Sequence, residues 1–217
     1  MRLNPVAIYN ESVLPRLVDV SCANPEMEPF RRRAVDGLSG TIVEIGFGSG
    51  PNVPVYPPEV THVYAVEPSE LARRRATARI ERERALAGST VPVVEMVGLD
   101  GQDLALPTDS CDGGLSTFTL CTVPDVERAL AELRRVIRPG GTFHFLEHGS
   151  SPDAGVAKWQ RRLEPMQRRM AGGCHLTRDT TELVRSAGFT IESVDHRYAR
   201  GPKPWTWFTV GAASNPA

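Results

Sequence analysis

Several features are missing from this sequence, and each absence excludes a class of protein. No stretch approaches the roughly 20 apolar residues of a transmembrane helix, and the first residues lack the apolar core of a signal peptide. The four cysteines include no C-x-x-C pair and no grouping with histidine at metal-ligand spacing, which argues against structural zinc. A net charge of −1 gives no electrostatic basis for binding nucleic acid. We therefore expect a cytoplasmic protein without a membrane span, a metal or a nucleic acid partner.

The length of 217 residues fits a single α/β domain, residues 1–217. Residues 1–40 carry a helical apolar stripe interrupted by prolines and predict an N-terminal helical cap, in which the arginines at 31–33 are interpreted as a solvated face. Residues 41–217 predict a core in which strands alternate with helices, as in a parallel sheet. Strands are predicted over 41–45, 62–66, 91–97, 114–118, 142–147, 190–196 and 205–212, with helices over 69–87, 124–137 and parts of 153–187.

The last two predicted strands are separated by a short turn rich in glycine and proline, too short for a crossover helix. We expect them to form an antiparallel hairpin at one edge of the sheet. The predicted fold class is therefore α/β, a Rossmann-like, seven-stranded, mostly parallel sheet with one antiparallel edge strand and helices on both faces.

The segment from Thr41 to Gly50, TIVEIGFGSG, is the most informative part of the chain. It predicts a strand that ends in a glycine turn, and glycine allows positive φ and close approach of the backbone to a ligand. Glu67 ends the next apolar run, where a carboxylate can accept hydrogen bonds from a ribose diol. Together these residues predict a pocket for a cofactor that contains adenosine.

The spacing of the glycines indicates which cofactor this is. The glycines are spaced G-x-G-x-G and are followed by Pro51, whereas the dinucleotide fingerprint is G-x-G-x-x-G. Glu44, two residues before the first glycine, is a poor neighbour for a pyrophosphate but a good one for a cation. S-adenosylmethionine carries a sulfonium and an ammonium and no phosphate, so these residues favour it over a nicotinamide dinucleotide. A nicotinamide-dependent dehydrogenase is the rival interpretation.

Five motifs follow one another in the order seen in class I S-adenosylmethionine-dependent methyltransferases, which the chain resembles over nearly its whole length. They lie at 44–50, 66–69, 100–112, 119–125 and 135–148. The segments 9–16, 46–57 and 173–178 also resemble the methyltransferase-like seven family, whose animal members are membrane-associated alkyl-thiol methyltransferases. This chain lacks their N-terminal hydrophobic anchor, so peripheral contact with a membrane stays an open alternative.

The resemblance implies S-adenosylmethionine as the methyl donor and S-adenosylhomocysteine as the product. It implies that Glu44 holds the amino end of the methionine moiety and that Glu67 accepts the ribose hydroxyls. Asp100 is the implied partner of the adenine amino group, with Asp103 as the alternative. The other cofactor contacts that it implies are Gly46, Gly48, Gly50, Pro68, Ser69, Gly101, Thr119, Leu120 and Cys121.

Candidate catalytic residues follow from what the acceptor needs. A thiol with a pKa near 8.5 is partly ionised at neutral pH, whereas an alcohol or an aromatic carbon needs a base. The candidates are His148 at the end of the fifth predicted strand, His175 after a double glycine, and Tyr9 in the N-terminal region. Glu147 is a further candidate base, with the alternative that it only finishes the strand and binds backbone.

We interpret the chain as an enzyme that methylates a small-molecule acceptor, with a thiol or sulfide sulfur as the first choice. That choice of acceptor rests on the narrower family resemblance. The alternatives are methylation of a quinone ring carbon or of a phospholipid amine and, from another class, a cofactor-binding protein without catalytic activity. The sequence gives no prediction of the oligomeric state.

Overall fold

The computed structural model describes residue 9, residues 13–87 and residues 91–216. The strands are β1 (Gly40–Ile45), β2 (Val60–Val66), β3 (Val93–Gly98), β4 (Cys111–Thr117), β5 (Ile137–His148), β6 (Thr190–Tyr198) and β7 (Trp207–Ser214). The helices are α1 (Leu14–Cys22), α2 (Glu28–Val35), α3 (Glu70–Ala87), α4 (Val126–Val136), α5 (Ala154–Met170), α6 (Thr180–Ser186) and the short α7 (Lys203–Thr206). Single 3₁₀ turns lie at Pro25–Met27 and Val53–Val55.

The seven strands form one sheet in the order β3-β2-β1-β4-β5-β7-β6. All neighbouring pairs from β3 to β5 are parallel, whereas β7 runs antiparallel to both β5 and β6. The predicted fold class is confirmed: the sheet is mostly parallel and the reversed hairpin lies at one edge. Within that hairpin, β7 is inserted between β5 and β6, so that β6 is the outermost strand. The strand order changes direction between β1 and β4, and the carboxyl ends of such strands form the usual ligand crevice of open α/β sheets.

Helices cover both faces of the sheet, as the alternation of strands and helices predicted. Successive residues of β1 point to opposite faces, and accordingly Ile42 belongs to one cluster of buried apolar residues while Val43 belongs to the other. The first cluster includes Ala76 of α3, and the second includes Leu130 of α4. Among the residues that the structure describes, no helix is long and apolar enough to cross a membrane.

Several predicted boundaries differ from the structure by a few residues, and two of these differences have a cause that the structure shows. β5 begins at Ile137, directly after α4, because the Asn215 side chain donates to the Ile137 carbonyl at 2.6 Å and its backbone pairs with Gly140 and Gly141. Gly140 and Gly141, which lie between the predicted helix and the predicted strand, therefore belong to the strand. β7 begins at Trp207 rather than at residue 205, because Lys203–Thr206 form a helical turn that connects the last two strands.

Candidate active site

The chain leaves β1 through a turn in which Gly46, Gly48 and Gly50 have φ of +68°, +58° and +71°. L-residues rarely adopt this region, so the turn depends on glycine. A Cβ at Gly46 would collide with the side chain of Thr119, which lies in the loop after β4. A Cβ at Gly48 would meet nothing closer than 3.9 Å, so the backbone there borders open space that a ligand can approach.

The carboxylate of Glu67 lies beside this turn, at the end of β2. Its Oε2 accepts from the Gly48 amide at 2.9 Å, and its Oε1 accepts from the Ser69 amide at 2.8 Å. Glu67 is 8% exposed, and burial raises the pKa of its carboxyl group. Since a carboxylate has about four acceptor positions and these bonds use two, the residue fits a ribose diol. Pro68, which is exposed, follows directly and leads into α3.

Glu44 is fully buried at the end of β1, where polar side chains surround its carboxylate. Asn52 Nδ2 donates to Oε1 at 2.8 Å, and the Tyr56 hydroxyl donates to Oε2. The guanidinium of Arg31 donates to Asn52 Oδ1 at 2.7 Å and to Thr117 Oγ1 at 2.9 Å. Burial raises the pKa of Glu44 to about 7 even though these donors and the Arg31 charge lower it.

Arg31 corrects the interpretation of the three consecutive arginines as one solvated face. Its side chain, on α2, is buried, donates to the Cys22 carbonyl at 2.6 Å and lies over the ring of Phe118 at 5.5 Å. Arg32 and Arg33 remain exposed. Successive helical residues point about 100° apart, so only one of three consecutive side chains can face the sheet. The charges in the sequence do not identify which of the three arginines that is.

Glu147 organises the loop after β4. Its buried Oε1 accepts from Ser116 Oγ at 2.7 Å and from the amides of Thr119 and Leu120 at 3.0 Å, while its Oε2 accepts from the Cys121 amide at 3.3 Å. Of the two alternatives for Glu147, the geometry favours the one in which it finishes the strand and binds backbone. The same contacts bring the segment from Thr119 to Cys121 to the edge of the sheet, next to the glycine turn.

Asp100, the implied partner of adenine, is exposed after β3. Its Oδ1 accepts from the amide and the side chain of Gln102 at 2.9 and 2.8 Å, and these bonds lower the pKa of Asp100. A Cβ at Gly101 would lie 3.4 Å from the side chain of Ile45, so this segment packs against the end of β1. Asp103 is exposed as well, and the choice between the two aspartates stays open.

His148, at the end of β5, lies next to two cysteines that the sequence did not connect. Its Nδ1 is 3.9 Å from Cys121 Sγ, which is 3.6 Å from Cys174 Sγ, and both thiols are buried. The rings of Phe118 and Phe208 pack against the imidazole at 5.2 and 5.1 Å. The pKa of Cys174 is lowered to about 4, first by its hydrogen bond with Cys121 and then by the nearby His148. The same hydrogen bond raises the pKa of Cys121.

The other two predicted catalytic residues have different partners. His175 Nδ1 lies 3.0 Å from Glu164 Oε1, while its amide donates to the Cys121 carbonyl at 2.7 Å. The Tyr9 hydroxyl donates to the Met170 carbonyl at 2.6 Å, at the end of α5. The structure therefore brings His148 and Cys121 together, whereas the side chains of His175 and Tyr9 are engaged elsewhere. Their catalytic roles stay predictions.

Comparison with known proteins connects this geometry to a family. A model described as a methyltransferase domain matches residues 43–145. The thiol S-methyltransferase TMT1B of Homo sapiens is 31% identical over 199 residues, which cover 87% of this chain and 78% of that protein. Phosphatidylethanolamine N-methyltransferase of Cereibacter sphaeroides is 31% identical over 153 residues, covering 68% of this chain and 72% of that protein.

A solved structure shows the same fold. The S-adenosylmethionine-dependent methyltransferase of Thermotoga maritima, described as a possible histamine N-methyltransferase, superimposes with a TM-score of 0.66 at 18% identity. The match covers 96% of this chain and 98% of that one. At this identity the similarity establishes the fold, and the relatives described above carry the family assignment.

The buried carboxyl group of Glu44 predicts a dependence of stability on pH. Because its pKa is raised from 4.5 to about 7 in the folded state, folding takes up a proton between these values. The free energy of unfolding should therefore fall as the pH rises from about 4.5 through 7, by at most about 3 kcal/mol from this group. Urea unfolding at several pH values should show that the Glu44→Gln variant lacks this component. The exposed Glu70→Gln variant should keep the wild-type profile, and an unchanged profile in Glu44→Gln contradicts the assignment.

Proposed function

This chain belongs to the S-adenosylmethionine-dependent methyltransferases, and we propose that it methylates the sulfur of a small thiol. The geometry that supports the proposal is the meeting of the glycine turn, the Glu67 carboxylate and the loop from Thr119 to Cys121 at one edge of the sheet. The thiol acceptor is supported by the similarity to the human thiol S-methyltransferase over most of the chain.

The residues present at this edge fit the cofactor. Glu67 has free acceptor positions for the ribose hydroxyls, and the backbone at Gly48 borders open space. Glu44 places its carboxyl oxygens near the turn, where the ammonium of the methionine moiety is expected. Asp100 and Gly101 follow β3, on the side where adenine is expected. When bound, S-adenosylmethionine supplies a methyl group that its sulfonium already activates for displacement.

Displacement at such a methyl group depends mostly on positioning and on the exclusion of water. Glu147 fixes the backbone of Thr119, Leu120 and Cys121, so this loop can form a rigid wall for the acceptor. We assign activation of the acceptor thiol to His148, whose ring is held between Phe118 and Phe208 beside Cys121. His175 and Tyr9 are the secondary candidates.

We also propose that the N-terminal helical region caps the core and that the protein is cytoplasmic. The assignment of an N-terminal cap is supported by Arg31 of α2, which reaches the Glu44 network through Asn52. Residues 1–8 and 10–12 of that predicted cap lie outside the described residues. A cytoplasmic location is supported by four free cysteines, which a reducing compartment maintains.

The acceptor can be identified directly by mass spectrometry. The protein is incubated with S-adenosylmethionine and, separately, with hydrogen sulfide, a small alkyl thiol, vesicles containing phosphatidylethanolamine, and a demethylquinone. We expect methyl thioether and methanethiol products in the two sulfur reactions only. Methylation of the phospholipid or the quinone without any sulfur product would refute the thiol proposal and favour the corresponding alternative.

The cofactor site can be tested by paired substitutions three residues apart. Glu67→Gln replaces one acceptor oxygen with a donor, at the point where Gly48, Ser69 and the ribose hydroxyls all donate. We expect binding of S-adenosylmethionine, measured by calorimetry, to weaken about 10- to 100-fold. Glu70→Gln alters an exposed carboxylate paired with Arg74 and should bind like wild type. Equal affinities for the two variants would remove Glu67 from the site.

A further inference from the structure

We propose that Cys121, His148 and Cys174 form a zinc site with one open coordination position, in contrast to the expectation from the sequence that the protein holds no metal. The two sulfur atoms and one ring nitrogen of these residues all lie within 4.8 Å of one another. The three residues come from separate parts of the chain: the loop after β4, the end of β5 and the loop after α5. A third ligating side chain converging on two thiols is what distinguishes this cluster from a pair of packed cysteines.

The spacing of the ligand atoms matches tetrahedral zinc. With Zn–S near 2.3 Å and Zn–N near 2.0–2.1 Å, tetrahedral angles place two sulfurs about 3.8 Å apart and a sulfur and a nitrogen about 3.6 Å apart. The observed distances are 3.6 Å between the two Sγ atoms and 3.9 Å between Cys121 Sγ and His148 Nδ1. The third distance, between Cys174 Sγ and the ring nitrogen of His148, is at most 4.8 Å. A shift of about 1 Å or less therefore completes the site.

The backbone around the ligands is already fixed. The Cys121 amide donates to Glu147, and the Cys121 carbonyl accepts from the His175 amide at 2.7 Å. The Arg178 side chain donates to the Val123 carbonyl at 2.8 Å. These bonds tie the loop that carries Cys121 to the loop that carries Cys174. Such supporting bonds orient metal ligands before the metal arrives and strengthen its binding.

The ligand set indicates both the metal and its use. Two thiolates and one imidazole select a soft divalent cation such as Zn²⁺, and three protein ligands with an open position are typical of catalytic rather than structural zinc. The open position would bind the sulfur of the acceptor, an inference that rests on the proposed function. The thiol loses its proton to solvent on binding; its sulfur then forms the new S–C bond as the donor's S–C bond breaks, giving a thioether and S-adenosylhomocysteine. His148 thereby activates the acceptor as a metal ligand.

Metal binding can be measured without donor or acceptor present. The wild-type protein is kept reduced with a phosphine, loaded with Zn²⁺, dialysed and examined by elemental and native mass spectrometry. We expect about one zinc per chain and, after replacement by Co²⁺, absorption from thiolate-to-metal charge transfer. Failure of the reduced protein to retain zinc overturns the proposal.

Variants identify the ligands. Cys121→Ala, His148→Ala and Cys174→Ala should each lose the bound zinc, whereas Cys22→Ala and Cys111→Ala should retain it, since those thiols lie outside the cluster. Retention of zinc by all three cluster variants overturns the assignment. Unchanged thiol methylation by the metal-free enzyme refutes the role of zinc in activating the acceptor, whereas a zinc-loaded protein that forms no thioether refutes the proposed thiol function alone.

Discussion

The buried carboxylate of Glu147 is the interaction on which the arrangement of this site depends. Four donors, three of them backbone amides of consecutive residues, converge on its two oxygens. A buried charge is tolerated only when its hydrogen bonds are satisfied. A shift of the loop from Thr119 to Cys121 would leave the Glu147 carboxylate buried without these donors, and the loop is therefore held in place. The side chain of Thr119 then fills the space that a Cβ on Gly46 would need, which couples this loop to the glycine turn.

Three buried glutamates, Glu44, Glu67 and Glu147, lie at the carboxyl ends of β1, β2 and β5. Each carboxylate is held by hydrogen bonds, and Arg31 reaches Glu44 through Asn52. Arg73 lies beside Glu67, and Arg178 lies beside Glu147. The crevice is therefore lined by carboxyl oxygens, and these suit a cofactor that carries a sulfonium and an ammonium. A pyrophosphate in the same place would be repelled. The sequence pattern and the folded site lead to the same choice of cofactor for this electrostatic reason.

The parts that could be predicted from the sequence depend on local patterns. The glycine turn, Glu67 and the alternation of strands and helices all involve neighbouring residues, and the predicted sheet is confirmed. The role of Arg31 was missed because the phase of a short helix relative to the sheet is decided by tertiary packing. The proximity of Cys121 to Cys174 was missed for a similar reason: 53 residues separate them, and only the return of the chain after α5 brings their sulfur atoms together.

The central claim is that the glycine turn, Glu67 and the loop held by Glu147 form one site for the methyl donor beside His148. A crystal structure of the protein with S-adenosylhomocysteine tests this most directly. We predict that both ribose hydroxyls donate to the Glu67 carboxylate and that the thioether sulfur lies against Thr119–Cys121, on the side facing His148. A cofactor bound elsewhere, or in this crevice with its ribose away from Glu67, would contradict the account.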